Sequence, residues 1–92
     1  MARPKAGTSP PKKSVRDDIV AVFGANLKAA RLKMGLTQAQ LAERAGLQQQ
    51  YVSLVESGKQ NVTLTTAETL AMVVNKDVRM LITRPRARSL KG

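Results

Sequence analysis

The 92-residue chain has no cysteine, no histidine and no tryptophan, with a single phenylalanine and a single tyrosine. Without cysteine there are no disulfide staples and no thiolate chemistry; without histidine as well, the usual zinc ligand sets are excluded. The same two absences remove the commonest bases and nucleophiles, and no glycine-rich phosphate loop replaces them. Acidic residues number six against sixteen Lys and Arg, which argues against a carboxylate-only magnesium site. Neither enzymatic activity nor a cofactor is therefore expected. So few aromatics mean a core of Leu, Val, Ala, Ile and Met, which suits packed helices better than a sheet. No stretch approaches the roughly 20 apolar residues of a membrane span. The early Pro10, Pro11, Lys12 and Lys13 leave no apolar run for a signal peptide, so a cytoplasmic location is expected.

What the chain has in excess is positive charge. The formal net charge is +10, a balance that favours polyanionic partners such as nucleic acid or an anionic surface. It is unevenly placed. Residues 1–14 carry Arg3, Lys5, Lys12 and Lys13, and residues 83–92 carry Arg84, Arg86, Arg88 and Lys91, with no acid in either segment. The residues between hold eight basic and six acidic side chains, a net of +2. Three segments are thus predicted: a disordered basic arm over 1–14, a folded domain over 15–82 and a basic tail over 83–92. The tails either follow phosphates and enter a minor groove, or are simply soluble, mobile ends.

Within the body the apolar pattern is helical throughout. Ile19, Phe23, Leu27, Ala30 and Met34 recur at three or four residues and define a first inward stripe, weakened by Gly24 and stopped at Gly35. Thr37 with Gln40 reads as a capping box opening a second helix, flanked by Leu36 and Leu41 as a hydrophobic staple. That helix turns Leu41, Ala42 and Ala45 inward and ends at Gly46. A third runs from about Gln48 to Ser57, with Val52 and Val55 inward, Leu47 and Tyr51 beside them, and Gly58 as its stop. Thr65 with Glu68 reads as a second box, opening a helix with Leu70, Ala71, Val73 and Val74 inward and Asn75 as a left-handed end. Asp77 caps a last short helix holding Val78, Leu81 and Ile82, stopped by Pro85. The result is an all-α fold of four or five short helices. A short helix, a glycine turn and another short helix at positions 37–57 form a helix-turn-helix unit.

From Phe23 to Ile82, about two-thirds of the chain, the sequence resembles the Cro/C1-type, lambda-repressor-like helix-turn-helix family. The residues that carry the resemblance are N-L-K-A-A-R-L-K-M-G-L-T-Q-A-Q-L-A, then E-R-A-G, Y-V-S-L-V-E-S-G-K and L-T-T-A-E-T-L-A. It implies sequence-specific binding to the major groove of double-stranded DNA and a role as a small transcription regulator, of the phage-repressor or controller type. Residue by residue it implies that Gln38, at the start of the second helix, reaches a phosphate and the recognition helix together. Gln49 and Gln50 would contact base edges and Gln48 a base or phosphate, with Ser53 and Leu54 the next outward positions. Ser57, Lys59 and Asn61 would meet the backbone in the following loop. Arg31 and Glu56 match a structural pair clamping the first helix to the end of the third. Leu54 stands where many relatives are polar, and fits either a thymine methyl or a packing contact.

The chemistry of the glutamines agrees with this. An amide offers one donor and one acceptor on a flat end, the complement of adenine N6 and N7 in the major groove, and each such pair gives roughly 1–3 kcal/mol of discrimination. The plain alternative is that glutamines on a helix surface serve solubility. A reader of this kind usually works as a homodimer on a palindrome. Two apolar runs, Val62–Leu64 and Val78–Ile82, are candidates for the self-contact, the second before the first, or for ordinary core filling. The competing functions are an antitoxin or adaptor module with a protein partner such as a toxin, and non-specific packaging of nucleic acid by the tails. Packaging would need no amides in the groove. A DNA-binding role would make the protein nucleoid-associated.

Overall fold

The computed structural model describes residues 18–84. The basic arm over 1–14, the stop at Pro85 and all but the first two residues of the basic tail lie outside them. Five helices follow in order: α1 (Ile19–Lys33), α2 (Gln38–Ala45), α3 (Gln49–Glu56), α4 (Leu64–Val73) and α5 (Val78–Leu81). α1 lies against α3 and α5, α2 against α3 and α4, and α4 against α5.

Phe23, Leu27 and Ala30 of α1, Leu41 and Ala42 of α2, Val52 and Val55 of α3, Leu70, Ala71 and Val74 of the α4 segment and Leu81 of α5 meet in one core. Both ends of the predicted α1 stripe fall outside it. Ile19, the first helical residue, and Met34, the C-cap, are exposed at the two ends of the helix. Ile82 is likewise the exposed C-cap of α5 rather than part of its inward face.

The first four helices end alike. Gly35, Gly46, Gly58 and Asn75 all have positive φ, and in each case the following N–H reaches back to the last turn. Leu36 donates to the Arg31 carbonyl, Leu47 to Ala42, Lys59 to Leu54 and Lys76 to Ala71. This closes carbonyls that the helix ends would leave open. The α2 capping box is present in both halves: Thr37 Oγ1 accepts from the Gln40 N–H at 3.0 Å, and Gln40 Oε1 accepts from the Thr37 N–H at 2.9 Å.

The box predicted at Thr65 and Glu68 is not the cap of α4. The helix opens two residues earlier, where Thr63 Oγ1 accepts from the Thr66 N–H at 3.0 Å and also pairs with the Thr66 hydroxyl. Thr65 lies inside the first turn and its carbonyl accepts from the Thr69 hydroxyl. The threonine at 63 has the extended backbone a cap requires, and its partner three residues on is a threonine, not the acid of the usual box.

Gly24 has a larger role than weakening a helix. It is buried, and a Cβ there would lie 2.1 Å from the Val55 carbonyl oxygen. α1 therefore approaches the backbone of α3 as closely as glycine alone permits.

Candidate nucleic-acid interface

The site begins from a charge that is not on the surface. Arg31 of α1 and Glu56, the last residue of α3, are 6% and 8% exposed. Arg31 Nε donates to Glu56 Oε2 at 2.7 Å, Nη2 to Oε1 at 3.0 Å and Nη1 to the Leu36 carbonyl at 2.8 Å. Gln38 Nε2 adds a further bond to Glu56 Oε1 at 3.0 Å. A buried carboxylate needs this many partners to remain where it is. The bidentate guanidinium also neutralises it, so it does not repel a polyanion laid over α3.

The same bonds set the geometry of the motif. The first residue of α2 is tied to the last residue of α3, and the carboxylate that receives it is tied to α1. With the left-handed turn at Gly46 (φ 73, ψ 31) joining the other ends of α2 and α3, the helix pair is fixed at both extremities. The Gln38 amide thus reaches the recognition helix as the resemblance implies, while its side chain remains half-buried.

Along α3 the outward positions separate cleanly from the inward ones. Val52 and Val55 are fully buried, whereas Gln48, Gln49, Gln50 and Ser53 are exposed. Gln48 is the N-cap of α3 rather than its first residue, and its side chain makes no capping bond. The opening amide groups of α3 are thus left for an outside acceptor. Leu54 is half-buried, so only part of its side chain faces outward. Beyond the helix, Ser57, Lys59 and Asn61 are exposed. Ser57 Oγ donates to the Leu54 carbonyl at 3.0 Å, which commits its hydrogen to the helix end.

Two residues join the site without having been singled out. Tyr51, half-buried beside the core, donates its hydroxyl to the Asn61 carbonyl at 3.4 Å, and Gln60 Nε2 donates to the same oxygen at 3.2 Å. The Tyr51 bond ties the loop that carries Lys59 and Asn61 to α3, and the Gln60 bond is local to that loop. The available signal was Tyr51 being the one tyrosine of the chain, at the border between the buried and exposed faces of that helix.

The helix-turn-helix family profile matches residues 27–81, which spans the core apart from Phe23, the motif and the network behind it. The chain belongs to the Cro/C1-type helix-turn-helix family of transcriptional regulators. As a Cro/C1-type protein it is a DNA-binding regulator. It is similar to the control protein C.SmaI of Serratia marcescens, with 37% identity over 75 residues, 82% of this chain and 89% of that protein. Among solved structures it is similar to the restriction-modification controller protein C.AhdI from Aeromonas hydrophila, with TM-score 0.65 and 37% identity over 67% of this chain and 94% of that one. It is also similar to the hypothetical transcription factor NHTF from Neisseria, with TM-score 0.73 and 31% identity over 85% of this chain and 90% of that one.

A second, largely apolar surface of this Cro/C1-type domain begins where the loop after α3 ends, beside Gln60 and Asn61. The two runs noted separately in the sequence meet there: Val62 and Leu64 before and at the start of α4, and Ile82 at the end of α5, line one groove with Ile19, Val20 and Phe23 of α1. Its volume is about 250 Å³, and Leu64 stands at its edge 86% exposed. No helix among the described residues is long and apolar enough to cross a membrane, and no group of three or more metal-ligating side chains occurs among them.

Proposed function

We propose that this regulator binds a short palindromic operator as a homodimer, with one α3 in each major groove. Gln49 and Gln50 read base edges there, Gln48, Ser53 and Leu54 contact at the margins, and Gln38, Lys59 and Asn61 meet phosphates, joined by Ser57 when its hydroxyl turns from the Leu54 carbonyl. The observation that carries this is the row of exposed amides at the uncapped start of α3, on a helix whose other end is locked by Arg31, Glu56 and Gln38. A helix fixed from behind presents its side chains at one depth, which is what discrimination between base pairs requires. The similarity to a control protein and to a restriction-modification controller protein supports a controller or autoregulatory role. The protein works without catalysis, in the cytoplasm and on the nucleoid.

The groove beside Leu64 supplies the self-contact. A projecting side chain next to a hole on the same face is self-complementary. A two-fold rotation places each Leu64 in the partner copy's groove, the isologous arrangement of a closed dimer. Palindromic operators require the same symmetry, with half-sites separated by about one turn or a multiple of it.

Fluorescence anisotropy with fragments from upstream of the protein's own gene tests the reading, at two salt concentrations and with scrambled competitor. One fragment should bind tightly, and the Gln49→Ala, Gln50→Ala double variant should lose that preference while keeping its helical spectrum. Equal binding to all fragments that collapses with salt would place the activity in the basic segments instead.

A further inference from the structure

Asn26 is a half-buried amide in the middle of α1, on the side away from the recognition helix. Its Nδ2 donates to the Leu81 carbonyl at 2.9 Å and to the Thr83 carbonyl at 3.0 Å, across 55 and 57 residues of sequence. Two carbonyl acceptors leave no choice of orientation, since only the nitrogen end of the amide can donate. The two acceptors bracket Ile82. α5 is only four residues long, too short to hold its own last turn firmly, and the Thr83 hydroxyl bond to the Arg79 carbonyl at 2.6 Å is local to it. Beside the burial of Leu81 in the core, the Asn26 amide ties the backbone on either side of Ile82 to α1.

Ile82 is a wall of the groove that borders Leu64. As the exposed C-cap of α5 it is not fixed by burial in the core, in contrast to Leu81 beside it, which is 2% exposed. We infer that Asn26 is a positioning residue for self-association: by holding the carbonyls before and after Ile82, it keeps that side chain against Ile19 and Phe23 and so keeps the groove open for a partner copy's Leu64. This rests on the homodimer proposed above. It adds that a polar residue outside the groove decides how well the groove works.

The test is a double-mutant cycle on the full chain, read by sedimentation equilibrium. Wild type, Asn26→Ala, Ile82→Ala and the double variant are compared, with Asn26→Asp as a variant of the same shape that offers no donor. Helical content and thermal midpoint are recorded at a concentration where each is monomeric. Asn26→Ala and Asn26→Asp should each weaken the dimer on the order of tenfold, as expected for the loss of two modest hydrogen bonds. In the Ile82→Ala background the further loss should be much smaller, because the side chain being positioned is already gone. A purely structural role would lower the midpoint, leave the dimer constant of the folded protein unchanged and give additive effects; that result overturns the inference while the dimer stands. A wild type that remains monomeric at all concentrations overturns the dimer reading, and the inference with it.

Discussion

The reading side of the molecule, α2 and α3, and the association side, where the start of α1 meets the approach to α4 and the end of α5, are held in opposite ways. On the reading side the outward residues are polar and the fixing bonds lie underneath: Arg31, Glu56 and Gln38 are joined by short bonds, and Gly24 lets α1 touch the α3 backbone. On the association side the outward residues are apolar and the polar bonds are local or peripheral: the Thr63 cap, the Asp77 cap and the Asn26 clasp. A surface that must discriminate among hydrogen-bond patterns has to be rigid before it binds. A surface that buries apolar side chains can settle as it binds, because the hydrophobic effect is not directional.

Damage should therefore be most severe beneath the reading side. Glu56→Ala leaves Arg31 buried without its partner and frees the Gln38 amide, and is expected to cost about 3–5 kcal/mol, a large share of the roughly 5–15 kcal/mol that small domains possess. Urea unfolding measures it directly. A loss below about 1 kcal/mol would mean that the pair behaves as an exposed one, and the contrast between the two sides would lose its basis. Gly24→Ala comes next. The added methyl meets the Val55 carbonyl oxygen, a backbone atom that cannot step aside, so a cost of about 1–3 kcal/mol is expected although alanine is the better helix former. Because the displaced element is α3, operator affinity should fall further than stability alone accounts for, while the dimer constant changes little.

The caps give a smaller and sharper comparison, and they show where sequence reading stops. Thr37 with Gln40 was legible because both halves of a box are fixed by residue type at fixed spacing, and both exist. The row 63–66, T-L-T-T, offers two possible starts, and the acid at Glu68 favours the wrong one. The structure begins the helix at Leu64 and leaves that leucine outside, which no rule about burying apolar residues anticipates. Thr63→Ala should cost about 1 kcal/mol in a thermal melt, and Thr65→Ala close to nothing; equal losses would return the cap to Thr65. Elsewhere the helices, their left-handed ends and the Arg31–Glu56 pair were legible, since periodicity, glycine placement and the family resemblance all bear on them. The Gly24 contact, the Tyr51 tie to Asn61 and the Asn26 clasp were not. Each joins atoms distant in sequence, to backbone oxygens that have no residue type to read.

The smallest effect belongs to the end of α5 and separates the two sides by pH. Asp77 accepts from the Arg79 N–H at 2.8 Å, and its two oxygens accept from the Arg79 guanidinium at 3.1 and 3.0 Å. The guanidinium bonds first, and the backbone bond second, hold its carboxyl below the ordinary value of 3.8. A carboxyl with a lowered pKa in the folded state stabilises it in full above the ordinary value, and that contribution fades as pH falls below 3.8 through the lowered one. The α2 cap, Thr37 with Gln40, contains no titrating group. Amide exchange at Arg79 and Met80 should therefore accelerate relative to its intrinsic rate as pH falls from 4 towards 2, while the Gln40 amide of the α2 box should not. The Asp77→Asn variant keeps a competent cap without a titrating group and should abolish the pH response, leaving α5 at one intermediate protection. The pair is solvent-exposed, so salt should shrink the difference further. If Gln40 loses protection in step with Arg79, the acid response belongs to the whole domain and not to the association side.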